Sequence, residues 1–429
     1  MKIIKSWEDG FNEAVDKIVN RGMTARSDVE DSVRNIINQV REKGDEAVIK
    51  FTKKFDNYYL QKENIRVSKE EIENAYAVLD KEKVEYLRLA AERIKKFHLR
   101  QVEKSWNYEE DGILLGQIIR PLNIAGVYAP GGKASYPSSV LMNVIPAKIA
   151  GVEKVVLCTP ASGGRLNPYV LTAADIAGVD EIFCIGGAQA IAAMAYGTET
   201  IPKVDKIVGP GNIYVAEAKR LAFGDVDIDM VAGPSEILII ADKNARADFV
   251  AADLLSQAEH DESAYPLLIT DSYDLAVKVE EEIDVQKKSL DRPEIIANCL
   301  KNNCICFVVN NIDEGIELAN RIAPEHLELM FENPISMLDK IKNAGAVFLG
   351  EWTPEAVGDY AAGPNHVLPT GGTARFFSPL GVYDFLKRSS LISFQEKSLR
   401  DIAPVVKGIA GVEGLTAHAK AVDIRIRKA

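Results

Sequence analysis

Lys154-Val-Val-Leu157, Pro168-Tyr-Val-Leu-Thr-Ala-Ala-Asp-Ile-Ala177, Glu181-Ile-Phe-Cys-Ile185, Ala188-Gln-Ala-Ile-Ala-Ala-Met-Ala-Tyr196, Lys206-Ile-Val208 and Ile213-Tyr-Val-Ala-Glu-Ala-Lys-Arg-Leu-Ala-Phe223 follow one another in the chain, with Gly-rich turns after the shorter runs. Short β-branched segments alternate with longer helix-forming ones, which predicts parallel βαβ units. The alternation resumes after Val231, with a strand at Ile237 to Ile240, a helix from Ala245 to Gln257 and a strand at Pro266 to Thr270. Ser272 to Leu300 reads as helix broken by Pro293, and Ile305 to Val309 and Ala346 to Leu349 read as further strands. Two α/β lobes with parallel sheets fit this count.

Upstream of these units, Trp7 to about Trp106 is charged and helically periodic, notably over Asp28 to Phe55 and Ser68 to Phe97. The second of these opens with Ser68-Lys-Glu-Glu71, a capping box. Composition shifts at Gly112: the stretch through Gly132 carries no acid and suits buried strands, with a boundary near Gly126. Downstream, the tail from about Ser389 shows short amphipathic pieces and no strand series, as expected of a small appendage. No fixed-period repeat is present, which disfavours a solenoid.

A length of 429 residues predicts two or three domains. Hydrophobic residues at 47% and charged residues at 27% are globular proportions, so disorder is a poor description. The formal charge of −12 has the wrong sign for a nucleic acid or anionic membrane partner. The start, Met1 to Gly10, places acids where a signal peptide needs apolar residues, and the longest uncharged run, Ile182 to Thr198, is too short to span a bilayer. A soluble protein is expected, and five cysteines, an odd number, fit a reducing cytoplasm. Cys304-Ile-Cys306 reads either as half a zinc ribbon or as two cysteines on one strand face. Arg93, Lys95, Lys96, His98 and Arg100 lie on a predicted helix among Glu85, Glu92 and Glu103, which makes a solvated face and places His98 on the surface.

The five histidines are few enough to weigh singly. Gln257-Ala-Glu-His260 closes a predicted helix, and a spacing of three sets both side chains on one face, able to grip an ion or simply to meet water. Two ligands do not make a site; Asp359 and His418 are the candidates to complete one, and such oxygen and nitrogen donors suit zinc. Pro324-Glu325-His326 looks like a helix start, where a carboxylate and an imidazole reaching one cleft offer two proton-transfer groups. An acid favouring a helix dipole is the blander account of the same motif. The turns Tyr128-Ala-Pro-Gly-Gly132, Gly186-Gly-Ala-Gln189 and Gly209-Pro-Gly-Asn212 follow predicted strands, where an open α/β sheet binds ligands. Tyr128 by stacking and Gln189 and Asn212 by hydrogen bonding could therefore line a nucleotide site, although no G-x-G-x-x-G fingerprint is present.

Asp227-Ile-Asp-Met-Val-Ala-Gly-Pro-Ser-Glu236, Ser256-Gln-Ala-Glu-His260, Ala323-Pro-Glu-His326, Gly358-Asp359 with Gly363-Pro-Asn-His366, and Glu413 to His418 occur in that order. With them the chain, from about Ile3 to its end, resembles the histidinol dehydrogenase family. Ala129 is a small departure, since a bulkier aliphatic is common there in the family.

The resemblance implies oxidation of L-histidinol to L-histidine through L-histidinal in two NAD-dependent steps, the last of histidine biosynthesis. It implies one zinc ion per subunit held by Gln257, His260, Asp359 and His418, with Glu325 and His326 as the acid–base pair. Ser235, His366 and Glu413 would surround the substrate together with His326 and the metal ligands, and Tyr128, Gln189 and Asn212 would contact NAD. The implied fold has two incomplete Rossmann-like lobes with small helical N- and C-terminal appendages. Its division is 1–23 as a helical segment, 24–127 with 236–380 as the first lobe, 128–235 as the second, and 381–429 as a tail reaching the partner subunit of a homodimer. A relative acting on another small alcohol, for which His366 and Glu413 would be expected to differ, and a zinc hydrolase are the competing readings.

Overall fold

Ile237, Leu238, Ile239 and Ile240 are all completely buried, as a strand covered on both faces requires. They form the middle of one of two parallel sheets in the computed structural model, which describes residues 1–22, 27–131, 136–161 and 164–427. In chain order the strands are β1 (Lys2–Lys5), β2 (Trp106–Glu110), β3 (Ile113–Pro121), β4 (Ile124–Tyr128), β5 (Lys154–Cys158), β6 (Glu181–Phe183) and β7 (Lys206–Val208). They continue with β8 (Asp227–Ile228), β9 (Glu236–Ala241), β10 (Tyr265–Thr270), β11 (Ile305–Val308), β12 (His326–Met330), β13 (Ala346–Leu349) and β14 (Leu386–Phe394).

A six-stranded sheet has the order β1-β11-β10-β9-β12-β13 and a five-stranded sheet the order β6-β5-β4-β7-β8; every pairing in both is parallel. Strands β9 to β13 and strands β4 to β8 thus repeat one plan, in which the first strand is central and the strand order reverses beside it. That reversal opens a crevice between β4 and β7 and another between β9 and β12. Helices Ala247–Ala258, Tyr273–Gln286 and Pro293–Asn303 cover one face of the larger sheet, and Phe11–Val19 and Ile312–Ile322 the other. The expected α/β architecture of two lobes with parallel sheets is present.

The partition of the chain differs from the one expected. The helices Ser27–Lys43 and Asp45–Asp56 present Val33, Ile36, Ile37, Val40 and Phe51 to Ala188, Ile191 and Phe183, so they cover the five-stranded sheet rather than joining 236–380. Lys81–His98 does the same on the opposite face through Ala91 and Ile94. Strand β4 runs across the expected 127/128 boundary and is the centre of the second lobe. The N-terminal segment is not purely helical, because β1 pairs along β11 at the edge of the larger sheet. The boundary at 23/24 and Gly132 of the Tyr128 turn lie outside the described residues.

Two further expectations change. Strand β3 is half-buried and lies in an antiparallel sheet with β2 and β14, so only β4 fits a buried strand of the acid-free stretch. The tail contains β14, nine residues paired along β3, followed by helices Glu396–Val412 and Thr416–Ile426 packed on each other. Its mostly exposed Leu-Lys-Arg-Ser-Ser-Leu-Ile-Ser-Phe lacks the buried face that marks a strand in a sequence. All five cysteines are free and buried, Cys304 and Cys306 among them, in keeping with a packing role. No helix among the described residues is long and apolar enough to cross a membrane.

Candidate active site

Helix Ile312–Ile322 ends with Ala323 in the left-handed conformation, φ 49°, and Pro324 follows immediately. Proline just past such a cap marks a helix stop, so Pro324-Glu325-His326 enters strand β12 and does not begin a helix as expected. Parallel pairing sets His326 opposite Ile237 of β9, which brings Glu325 and His326 beside the first residue of that strand. The peptide N–H of Glu236 donates to Glu325 Oε2 at 2.9 Å, and the peptide oxygen of Glu236 accepts from His326 Nδ1 at 2.8 Å. A proton held on Nδ1 leaves Nε2 as the free base of the neutral imidazole. Nε2 is buried without a hydrogen-bond partner and lies 3.7 Å from Asp359 Oδ1.

Burial pushes the His326 pKa down, with the Asp359 charge opposing it, so the ring is held neutral. The Glu325 carboxyl is driven well up, first by burial and then by the Glu236 charge. A carboxyl displaced in that direction is a better proton acceptor near neutrality than an ordinary glutamate.

Gln257 lies in the last turn of helix Ala247–Ala258, completely buried, with both side-chain amide atoms unpartnered. His260 follows in the turn, its peptide N–H bonded to Gln257 O. Asp359 comes from the short helix Glu355–Tyr360, whose Glu355 is 1% exposed with both carboxylate oxygens unpartnered. His260, Glu355 and Asp359 offer ligand atoms within 4.8 Å of one another. His366 Nδ1 donates to the Asp359 carbonyl at 2.8 Å, and its Nε2 lies 3.3 Å from Ser139 Oγ. His326, Phe348, Asp359 and His366 line a cleft of about 410 Å³.

The structure therefore brings Glu325, His326, His260, Asp359 and His366 together. Ser235 immediately precedes Glu236, and its carbonyl accepts from Tyr265 N. Glu413 and His418 are exposed on the C-terminal helical pair and lie outside the His260 cluster. Glu355 was not anticipated; its spacing of four from Asp359, which puts both carboxylates on one helix face, was the available signal. His98 is buried, contrary to expectation, and its ring lies 2.9 Å from Ile94 O and 3.4 Å from Asn365 Nδ2, next to His366.

On the five-stranded sheet, Tyr128, Gln189 and Asn212 gather at the carboxyl ends of β4, β6 and β7. The Tyr128 ring is 3% exposed and its hydroxyl accepts from Gly187 N at 3.0 Å, so the expected stacking face is spent on core packing. Gln189 is buried with both amide atoms unpartnered. Asn212 Oδ1 caps helix Ile213–Ala222 through Tyr214 N and Val215 N. Gly209, φ 113°, must be glycine, because a Cβ there would sit 2.1 Å from Tyr128 O. A buried Lys219–Asp229 ion pair clamps the Gly209 peptide at both its N–H and its carbonyl.

A family model for histidinol dehydrogenase matches residues 19–426. The chain belongs to the histidinol dehydrogenase family. Histidinol dehydrogenase of Aquifex aeolicus is 54% identical over 97% of this chain and 96% of its own length, and that of Bacillus cereus 52% identical over 97% and 98%. The crystal structure of histidinol dehydrogenase from Elizabethkingia anophelis superposes with a TM-score of 0.94 at 39% identity, covering 99% of this chain and 98% of that one. As its histidinol dehydrogenase relatives are enzymes, so is this chain.

Proposed function

We propose that the enzyme oxidises L-histidinol to L-histidine through L-histidinal, using one zinc ion per subunit and NAD⁺, in the last steps of histidine biosynthesis in the cytoplasm. The observation that carries this reading is the cluster of His260, Glu355 and Asp359 with buried, unpartnered polar groups beside it. Glu355 and His326 Nε2 are buried without a hydrogen-bond partner beside His260 and Asp359, and Gln257, three residues before His260, is buried with both amide atoms unpartnered. Such groups are costly unless a ligand or ion meets them. His260 and Asp359 fit a zinc ion by donor type, with the amide oxygen of Gln257, a less usual zinc donor, and His418 of a second copy completing the set that the family resemblance implies. The buried, unpartnered Gln189 amide and the Gly209 turn beside Tyr128 fit a nucleotide at the crevice between β4 and β7.

A zinc ion bound there would supply a fixed positive charge that positions the substrate, and bound NAD⁺ would supply the hydride acceptor. The chain's own residues move the protons. His326 Nε2 takes the hydroxyl proton while Nδ1 stays bonded to the Glu236 carbonyl, which holds the ring at one angle throughout. Glu325 draws a proton from water as the water oxygen adds to the aldehyde, and the proton held on His326 Nε2 passes to the aldehyde oxygen to complete the gem-diol. Nε2, free again, accepts a proton from that gem-diol in the second oxidation. Ser235, His366 and, from the second copy, Glu413 orient the substrate.

Two NADH per histidinol, followed by absorbance, are expected from zinc-loaded enzyme. Chelation should abolish the activity yet leave circular dichroism unchanged, because the ligands hang on a large core that does not need the ion. Zinc-loaded enzyme that forms no NADH, or that hydrolyses esters or amides instead, would overturn the reading.

A further inference from the structure

Arg21 and Glu236 form an ion pair whose side chains are each 1% exposed. The guanidinium grips the carboxylate with two bonds, Nε to Oε1 at 2.6 Å and Nη2 to Oε2 at 2.5 Å. Buried pairs of this kind contribute little net stability, because desolvation offsets their attraction, and an apolar pair of equal volume often serves the fold as well. What an apolar pair could not do is hold main chain. Arg21 Nη1 also donates to Ile322 O at 3.0 Å and Nη2 to Ala323 O at 3.4 Å, and Glu236 Oε1 accepts from Gly371 N at 2.7 Å.

These contacts meet at the acid–base pair. The Glu236 peptide holds Glu325 by its N–H and His326 by its oxygen. Ile322 and Ala323 are the turn that delivers Pro324-Glu325-His326, with Ala323 in a backbone conformation that non-glycine residues seldom adopt. One guanidinium thus grips the turn that supplies the two groups and the residue that orients them.

We propose that Arg21 and Glu236 are positioning residues for Glu325 and His326: they fix the angle at which Nε2 and the Glu325 carboxylate face the substrate and touch neither substrate nor cofactor. This rests on the reading of Glu325 and His326 as the acid–base pair. Only a two-pronged donor can hold both segments, which a lysine ammonium cannot imitate.

The test uses full-length, zinc-loaded Glu236→Gln, Arg21→Lys and Arg21→Met, with His326→Asn in parallel. Glu236→Gln keeps the size and the peptide bonds but loses the charged fork. Zinc content, melting temperature, kcat, both KM values and the primary deuterium isotope effect with carbinol-deuterated histidinol are measured. Misorientation of reacting groups costs on the order of 10- to 100-fold. The expected result is a kcat loss of that size in Glu236→Gln and a larger one in Arg21→Met than in Arg21→Lys. KM values should stay within about twofold, with zinc retained and the isotope effect increased as the chemical step becomes limiting. Folded, zinc-loaded Glu236→Gln with native kcat and isotope effect would overturn the proposal. So would losses that track the fraction of folded protein, or failure of all three variants to fold, since each assigns the pair to stability alone. Near-native His326→Asn would instead overturn the acid–base reading itself.

Discussion

His326 has two ring nitrogens and uses them differently: Nδ1 is bonded to the Glu236 carbonyl, and Nε2 faces the cleft with no partner. On the proposed chemistry an imidazole so divided accepts one proton in each of the two oxidation steps without rotating. His326→Asn is therefore expected to lower kcat by about 10² to 10⁴-fold, the usual contribution of a general base, while NAD⁺ binding measured by fluorescence stays near native. Glu325 is, on the proposed chemistry, needed only where water must attack. Supplying histidinol or histidinal to Glu325→Gln should accordingly show the aldehyde step losing more rate than the alcohol step, and equal losses would assign Glu325 to anchoring the Glu236 peptide.

Strand β9 was legible because four consecutive aliphatics need two covering layers, and the same reasoning located β10 and β11. Strand β12 was not, since Pro324 before an acid resembles a helix start and only the preceding helix, with Ala323 as its left-handed terminus, shows it to be a stop. The Arg21–Glu236 contact spans 215 residues and leaves no local pattern at all. His98 was misplaced although Val84, Ala91, Ile94 and His98 form one buried stripe on helix Lys81–His98; the surrounding charges hid it. That burial has a measurable consequence. Burial lowers the His98 pKa in the folded chain, so below the unfolded value of 6.5 the unfolded chain binds more protons. The stability is then fully present above that pH and declines as pH falls through it toward the lower folded value. Denaturant unfolding at pH 7.5 and pH 5.5 should show a smaller drop in His98→Gln than in the native chain, and an equal drop would mean His98 is not held neutral.

The two sheets repeat one strand order but use opposite ends. The donors of the cleft sit at the amino ends of β9 and β12, whereas Tyr128, Gln189 and Asn212 sit at the carboxyl ends of β4, β6 and β7. Glu413 and His418, which the family resemblance puts at the substrate and the metal, are carried on an exposed helical pair whose Val405, Ile409 and Val412 also face outward. An apolar face of that kind suits docking on a second copy. The measurement that decides this is complementation. His418→Asn and His326→Asn are each prepared inactive, mixed, and allowed to exchange subunits, with heterodimers verified by mass spectrometry. In a heterodimer one site pairs an intact His326 with the intact His418 of the other subunit, and the other site carries both defects. Activity should return to about half the native rate per heterodimer if the sites act independently, whereas verified exchange with no recovery would contradict the shared site and place His418 in its own subunit or outside the chemistry.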